Sequence, residues 1–426
     1  MLLNDYLEKL KTKKLDVAKN SYISDSIVTD DFIADIYPDD NIEEWKNFNI
    51  KAFKKRNWSI FNRDANTKVK KVNLDYENLI LFNNGILEDV KLEKHLNSKI
   101  KVYKISECQN KGNNIFNKIY NDRKKYSERR LSGIDDDKTT KLLVLNKILS
   151  DGIVIEVSPD TKINKEICII NNISTELTLI SPYIFIIVKD RAKINFLDLT
   201  VYEGNQNWTN VFYEIYLEKA AEVKIANLNL EQKNNLNTAS FNFHIEEYAN
   251  LLFSLINKGF SKKDVRVFLN GKSSKANIKG ILLSKQEEFN DVFCKITHNE
   301  FQTDSNQDWR MISSDNSKSS LNGKIRILKN AKNSSGKFLS KSLLLDNKAK
   351  SFSKPELEIF EDEVTCSHGA SFGEIEKEKV FYLQSRGLSK KDAIRTLIAA
   401  FLNELEIEDS FFKKDLIKEI DSSFFK

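Results

Sequence analysis

From Ile153 to about Val364 the chain alternates apolar and polar residues with a period of two. The runs IVIEV, EICIINN, ELTLI, YIFIIV, KINFLDLTV, FYEIYLE and EVKIANLNL are short and rich in β-branched, aromatic and leucine residues. Such alternation turns one side of a segment to a core and the other away from it, which predicts strands. No convincing helical stripe interrupts the stretch. A unit recurs within it: a polar corner, a small residue, then a strand. It reads Arg191-Ala192-Lys193-Ile194, Ala220-Ala221-Glu222-Val223, Tyr248-Ala249-Asn250-Leu251 and Lys275-Ala276-Asn277-Ile278, the alanines lying 29, 28 and 27 residues apart. Lys348-Ala349-Lys350 reads as a later copy. Self-similarity at this period predicts a solenoid of stacked coils with small residues at its corners. A sandwich or barrel is the alternative reading of the same strands.

The period changes on either side. Leu3, Tyr6, Leu7 and Leu10 form a helical stripe, and Leu142 to Leu149 an apolar helix segment broken by Asp151-Gly152. Between them, Leu79 to Gly85 (LILFNNG) predicts a short strand ending in a turn. Beyond the small-residue turn Cys366-Ser367-His368-Gly369-Ala370, two amphipathic helices are predicted. Gly387 stops the first. Ser389 caps the second, with Asp392 completing a capping-box pattern. Ile394, Leu397, Ile398, Phe401, Leu402 and Leu405 make one apolar stripe, suited to covering the end of a solenoid. SFFKKDLIKEIDSSFF reads as one more amphipathic helix. The expected fold is mainly β: a parallel β-helix core over 151–365, flanked by helical domains at 1–150 and 366–426.

Composition narrows the class. With 426 residues, 40% of them hydrophobic, the chain can bury a large core. Its charge balance, 67 − 62 = +5, is too weak for the concentrated basic face of a nucleic-acid binder. Only 4 prolines and 13 glycines argue against long flexible linkers. Cys108, Cys168, Cys294 and Cys366 are far apart, with no CxxC pair, which fits a reducing compartment. The opening MLLNDYLEKLKTKK has early acidic residues and no apolar run, unlike a signal peptide. Apolar runs such as Ile184 to Val188 are far too short to span a bilayer. A soluble cytoplasmic protein is expected.

Candidate chemistry gathers at Cys366 and His368. Two residues apart on an extended segment, they leave the same face, and thiolate and imidazole are both good iron or zinc ligands. Two donors do not close a site, so others have to come from elsewhere. The other reading is a buried cysteine and a hydrogen-bonded histidine at a domain junction. Cys108, Cys168 and Cys294 read as core residues, and His298 as a packed strand histidine; His95 and His244 carry no specific signal. Gly271-Lys272-Ser273-Ser274 is not a phosphate loop, because a Walker motif needs glycine where Arg266 stands.

Several stretches closely resemble the SufB/SufD family, scaffolds of the SUF iron–sulfur cluster assembly system. Cys366-Ser367-His368-Gly369-Ala370, Phe381-Tyr382-Leu383 and Ser385-Arg386-Gly387 match its C-terminal signature. DVFCKITHNE, with Asp291 and His298, Leu321-Asn322-Gly323-Lys324-Ile325, and Pro355-Glu356-Leu357-Glu358-Ile359 match its core, and EEWKNFNIKAFKK its N-terminal element. The SufD branch is the nearer, since the SufB branch usually has an acidic residue in place of Gly369. The resemblance implies a flattened right-handed β-helix and a non-catalytic scaffold that pairs with a SufB-like subunit. His368, with Cys366 second, would lie at that interface, where a nascent iron–sulfur cluster is held transiently. It also implies a SufC-like ABC ATPase docked on the C-terminal helices, with Arg395, Phe401 and Glu404 as candidate contacts, and no nucleotide bound by this chain. Neither nucleic acid nor membrane is an expected partner. An exposed sheet edge suits homodimer formation in isolation. A SufB-branch scaffold and a carbohydrate-active β-helix enzyme are the alternatives; the latter needs clustered carboxylates, and those here are scattered.

Overall fold

The computed structural model describes residues 56–60, 76–105, 152–230 and 234–405, with single residues outside those stretches. Strands fill two sheets. From one edge to the other, sheet I runs Lys350–Ile359, Lys318–Ile327, Phe289–His298, Phe260–Leu269, Leu236–Ile245, Trp208–Leu217, Tyr183–Val188, Ile153–Val157, Ile100–Lys104. Sheet II runs Val364–Glu374, Ser334–Leu344, Asp304–Ser313, Lys275–Ser284, Asn250–Lys258, Glu222–Leu230, Lys193–Tyr202, Ile167–Ile173, Leu79–Asn83, Ile86–Lys91. From Lys193 onward consecutive strands alternate between the sheets, and each pairs in parallel with the strand two places on. The chain therefore coils as a parallel β-solenoid, with one strand per sheet in each turn.

The period-two pattern explains the bore. Phe241, Phe243 and Ile245 of sheet I meet Leu251, Phe253 and Leu255 of sheet II, all buried. The Phe253 ring centroid lies 5.0 Å from that of Phe241 and 5.1 Å from that of Phe243. Each such phenyl ring removed from water contributes about 1.5–3 kcal/mol.

The corners repeat as the sequence predicts, with two departures. Arg191, Ala220, Tyr248, Ser273, Gln302 and Asn333 each hold φ between 55° and 59°. That conformation costs a non-glycine residue roughly 1–2 kcal/mol. It turns each N–H onto a carbonyl of the next turn, as Ala220 to Glu247 at 2.8 Å and Gln302 to Lys332 at 2.8 Å. The following residue is small and buried: Ala192, Ala221, Ala249, Ser274, Thr303, Ser334. Ala276 is not in this row; it stacks on Leu251, and Ser274 takes the corner. Ala349 belongs to the opposite corner, preceding the Lys350–Ile359 strand of sheet I.

Flanking helical domains are not part of the fold described. Two helices are described over their full length, both near the C-terminus, α1 (Lys377–Ser385) and α2 (Lys390–Asn403). The continuous described stretches before 152 contribute strands, while Leu3, Leu142, Leu145 and Leu149, described singly, are helical. Leu79–Asn83 and Ile86–Lys91 form an antiparallel hairpin on the edge of sheet II, and Ile100–Lys104 pairs antiparallel on sheet I. A hairpin satisfies the edge N–H and C=O groups of the first turn, which a helix cannot do. The helices expected at Leu3 to Leu10, Leu142 to Leu149 and 410–425 fall largely outside the described residues.

Gly387 ends α1 at φ 95°, and Ser389 Oγ accepts the Asp392 N–H at 3.1 Å to begin α2. Ile398, Leu402 and Leu405 bury against the outer face of sheet II, in one cluster with Leu228, Ile256, Ile281 and Ile312. The stripe thus covers a face of the solenoid, because outward positions of sheet II are themselves apolar. Among the described residues no strand pairs beyond the last turn.

Candidate functional site

Cys366 and His368 lie within the Val364–Glu374 strand, the edge of sheet II, and not in a turn. They pair in register with Gly336 and Phe338. Phe338 is 3% exposed and belongs to the bore core, so Cys366 and His368 point along the same inner face. Among the described residues no further turn covers them. Cys366 is half-buried and His368 exposed. Opposite stand Ser353, Pro355 and Leu357, in register with Leu321, Gly323 and Ile325 of the bore. Exposed aromatics rim this mouth: Phe352, Phe360 at 57% and Phe372 at 52%. Both mouth strands, Lys350–Ile359 and Val364–Glu374, are terminal in their sheets.

Burial pushes the Cys366 thiol above its ordinary range, partly offset by a hydrogen bond from the Gly336 backbone. Metal capture there would have to displace a proton. Thiol and imidazole supply two donors from one strand. Among the described residues no three His, Cys, Asp or Glu side chains gather to hold a metal ion. The geometry suits an incomplete site that other ligands complete.

The remaining candidates are otherwise engaged. His298 is fully buried, its Nδ1 2.7 Å from Thr303 Oγ1 and its Nε2 2.8 Å from Ser305 Oγ, and burial lowers its pKa to about 4. Cys168 and Cys294 are buried thiols, and Cys108 lies outside the described residues. His244 stacks between Tyr216 and Phe268, and His95 is exposed. Gly271 occupies a corner where a Cβ would stand 2.0 Å from the Glu247 nitrogen, so its Lys-Ser neighbours are a turn. Glu404 pairs with Lys341 at 2.7 Å, and the Arg310 guanidinium sits 5.7 Å from the Phe401 ring centroid. These two residues fasten α2 to sheet II. Arg395 pairs with Asp421 at 2.5 Å.

Sequence reasoning singled out Phe381 and Tyr382 of α1 by resemblance but did not read them as an exposed pair. Phe381 is 73% and Tyr382 56% exposed, with Arg386 stacked 5.3 Å from the Tyr382 ring centroid. In α1 Val380 is buried and the two aromatics directly follow it, which turns them off the packed face.

Comparison with known proteins agrees with this architecture. The family model described as "SUF system FeS cluster assembly, SufBD core domain" matches residues 169–401, more than half of the chain. The chain is 34% identical over 154 residues to the iron–sulfur cluster assembly protein SufD of Escherichia coli, covering 36% of each. It is 27% identical over 240 residues to the chloroplastic protein ABCI7 of Arabidopsis thaliana, covering 54% of this chain and 50% of that one. A SufBD family protein of Synechocystis is 24% identical over 270 residues, 60% of each chain. The matches thus span between about a third and three-fifths of these relatives. With its stacked parallel turns and its Cys-x-His edge, the chain belongs to the SufB/SufD family of iron–sulfur cluster assembly proteins and is most like SufD.

Proposed function

We propose that this chain is a non-catalytic scaffold of iron–sulfur cluster assembly, working in the cytoplasm, whose open solenoid end joins a SufB-like subunit. The observation that carries the reading is the asymmetry of the two ends. The described edges at the N-terminal end, Ile100–Lys104 and Ile86–Lys91, are antiparallel and short, of 5 and 6 residues. The C-terminal end leaves two parallel edges, of 10 and 11 residues, ringed by exposed aromatic side chains. Unpaired edges of that length are templates for another chain. A homologous coil would continue the stack, and its ligands would complete the site begun by Cys366 and His368. The nascent cluster is cargo there.

The helix pair is the proposed seat of a SufC-like ABC ATPase. α1 offers Phe381 and Tyr382 outward, while Phe401 and Glu404 fix α2 to sheet II. Motion imposed on the helices would so reach the solenoid. Arg395 remains a candidate contact, its ion pair being solvent-exposed.

The test is co-expression with SufB-like and SufC-like subunits, followed by assay of bound iron and sulfide. His368→Ala is expected to leave the complex assembled and its cluster content reduced. Full cluster content with that change would overturn the role given to His368. A chain that purifies alone in both forms would overturn the scaffold reading.

A further inference from the structure

The bore holds one charged cluster that scaffolding does not use. Asp198, on the inner face of Lys193–Tyr202, is 4% exposed, and Lys263, on the inner face of Phe260–Leu269, is 1% exposed. They lie in different turns: Asp198 shares its turn with Tyr213, Asn227 and Asn237 stand in the next, and Lys263 in the one after. The Asp198 carboxyl accepts from Asn227 Nδ2 at 2.6 Å and from the Tyr213 hydroxyl. Lys263 Nζ donates to Asn237 Oδ1. The Asn237 amide donates onward to the Tyr202 hydroxyl at 2.7 Å and to Thr209 Oγ1 at 3.0 Å. The carboxyl and the amine thus each bond an asparagine of the middle turn, Asn227 and Asn237, in a bore whose neighbouring inner positions hold Phe241, Phe253 and Val265.

We propose that Asp198, Tyr213 and Lys263 form a pH-sensitive strap that spans three consecutive turns and holds them least tightly near neutral pH. Ionised groups lose hydration in such a bore, and a buried pair recovers that loss only in part. Burial raises the Asp198 carboxyl from 3.8 to about 6, against the Tyr213 and Asn227 hydrogen bonds and the Lys263 charge. Burial lowers Lys263 from 10.5 to about 7, against the Asp198 charge. Tyr213 is raised well above its ordinary value by burial and by Asp198, so it stays protonated. Among the described residues, the titratable members of the cluster are Asp198, Tyr213, Lys263 and Tyr202, whose hydroxyl accepts from Asn237; Asn227 and Asn237 are neutral.

The direction follows from proton linkage. The folded carboxyl holds its proton to higher pH than the unfolded one, so the Asp198 contribution falls between pH 3.8 and about 6. The folded amine gives up its proton at lower pH than the unfolded one, so the Lys263 contribution rises between about 7 and 10.5. Both costs are fully present between about 6 and 7. A bore without the pair would be firmer there.

The test is urea unfolding of the full chain from pH 4 to pH 10, for the wild type, Asp198→Asn, Lys263→Met and the double variant. The double variant is expected to unfold at higher urea than the wild type at pH 6.5, with a gain that shrinks toward both extremes. Asp198→Asn alone should flatten the acid limb and Lys263→Met alone the alkaline one. A pH-independent difference, or a lower midpoint for the double variant at pH 6.5, would overturn the proposal. Should the variants not fold, NMR of labelled lysine in the wild type decides. A side-chain amine ionising near pH 7 supports the strap, and none titrating below pH 9 refutes it.

Discussion

The Phe338 ring occupies the space that any side chain on Gly323, in the opposite sheet, would need. A Cβ there would stand 1.9 Å from Phe338 Cε2 and 2.4 Å from its Cδ2. Glycine lets the ring cross the bore one turn behind His368, and so floor the open mouth. Gly323→Ala should destabilise the chain by about 1–3 kcal/mol through overpacking, measured as a lowered urea midpoint. Gly369→Ala is the contrast: the nearest atom, Leu339 Cδ1, would be 3.4 Å away, and stability should change by less than about 0.5 kcal/mol. Equal effects at the two glycines would contradict the packing described.

Much of this was legible in the sequence, for physical reasons. Alternation such as that of Lys275-Ala276-Asn277-Ile278-Lys279 is imposed by a buried bore, and the alanines of three corners sit at buried positions that take small residues. The fourth corner misled, because serine fills a tight corner as well as alanine does, and Ser274 carries no apolar signal while Ala276 does. The Ser389 cap and the Gly387 stop were readable because local backbone chemistry decides them. What the α2 stripe covers was not, since an amphipathic helix does not name its partner; the apolar outer positions of sheet II decide it. Cys366 and His368 were visible as a pair. That they lie in an edge strand, with Phe338 beneath, depends on strand register over long sequence separation.

His298 makes a pH prediction. Its folded pKa, about 4, lies below the ordinary 6.5 because burial opposes the charged ring. Its stabilising contribution is therefore complete above pH 6.5 and is lost as pH falls toward 4, amounting to roughly 3 kcal/mol. Histidine NMR should show this ring neutral at pH 5, with unfolding easier below it. A ring titrating near 6.5 in the folded chain would contradict its placement between Thr303 and Ser305.

The fastening of α2 makes another. Phe401→Ala removes a half-buried ring beside Arg310 and should cost about 1–2 kcal/mol. Glu404→Gln should cost less than about 1 kcal/mol, because its pair with Lys341 is largely solvent-exposed. Limited proteolysis near Gly387 reads both, with faster cleavage expected for Phe401→Ala. Cleavage unchanged by that substitution would mean the helix is held elsewhere.

The most direct measurement is backbone hydrogen–deuterium exchange of the chain alone and in complex with a SufB-like subunit. Amides of Lys350–Ile359 and Val364–Glu374 are expected to slow markedly on complex formation, those flanking His368 among them. A stable complex in which both strands exchange as fast as in the free chain would contradict the open end as the joining surface.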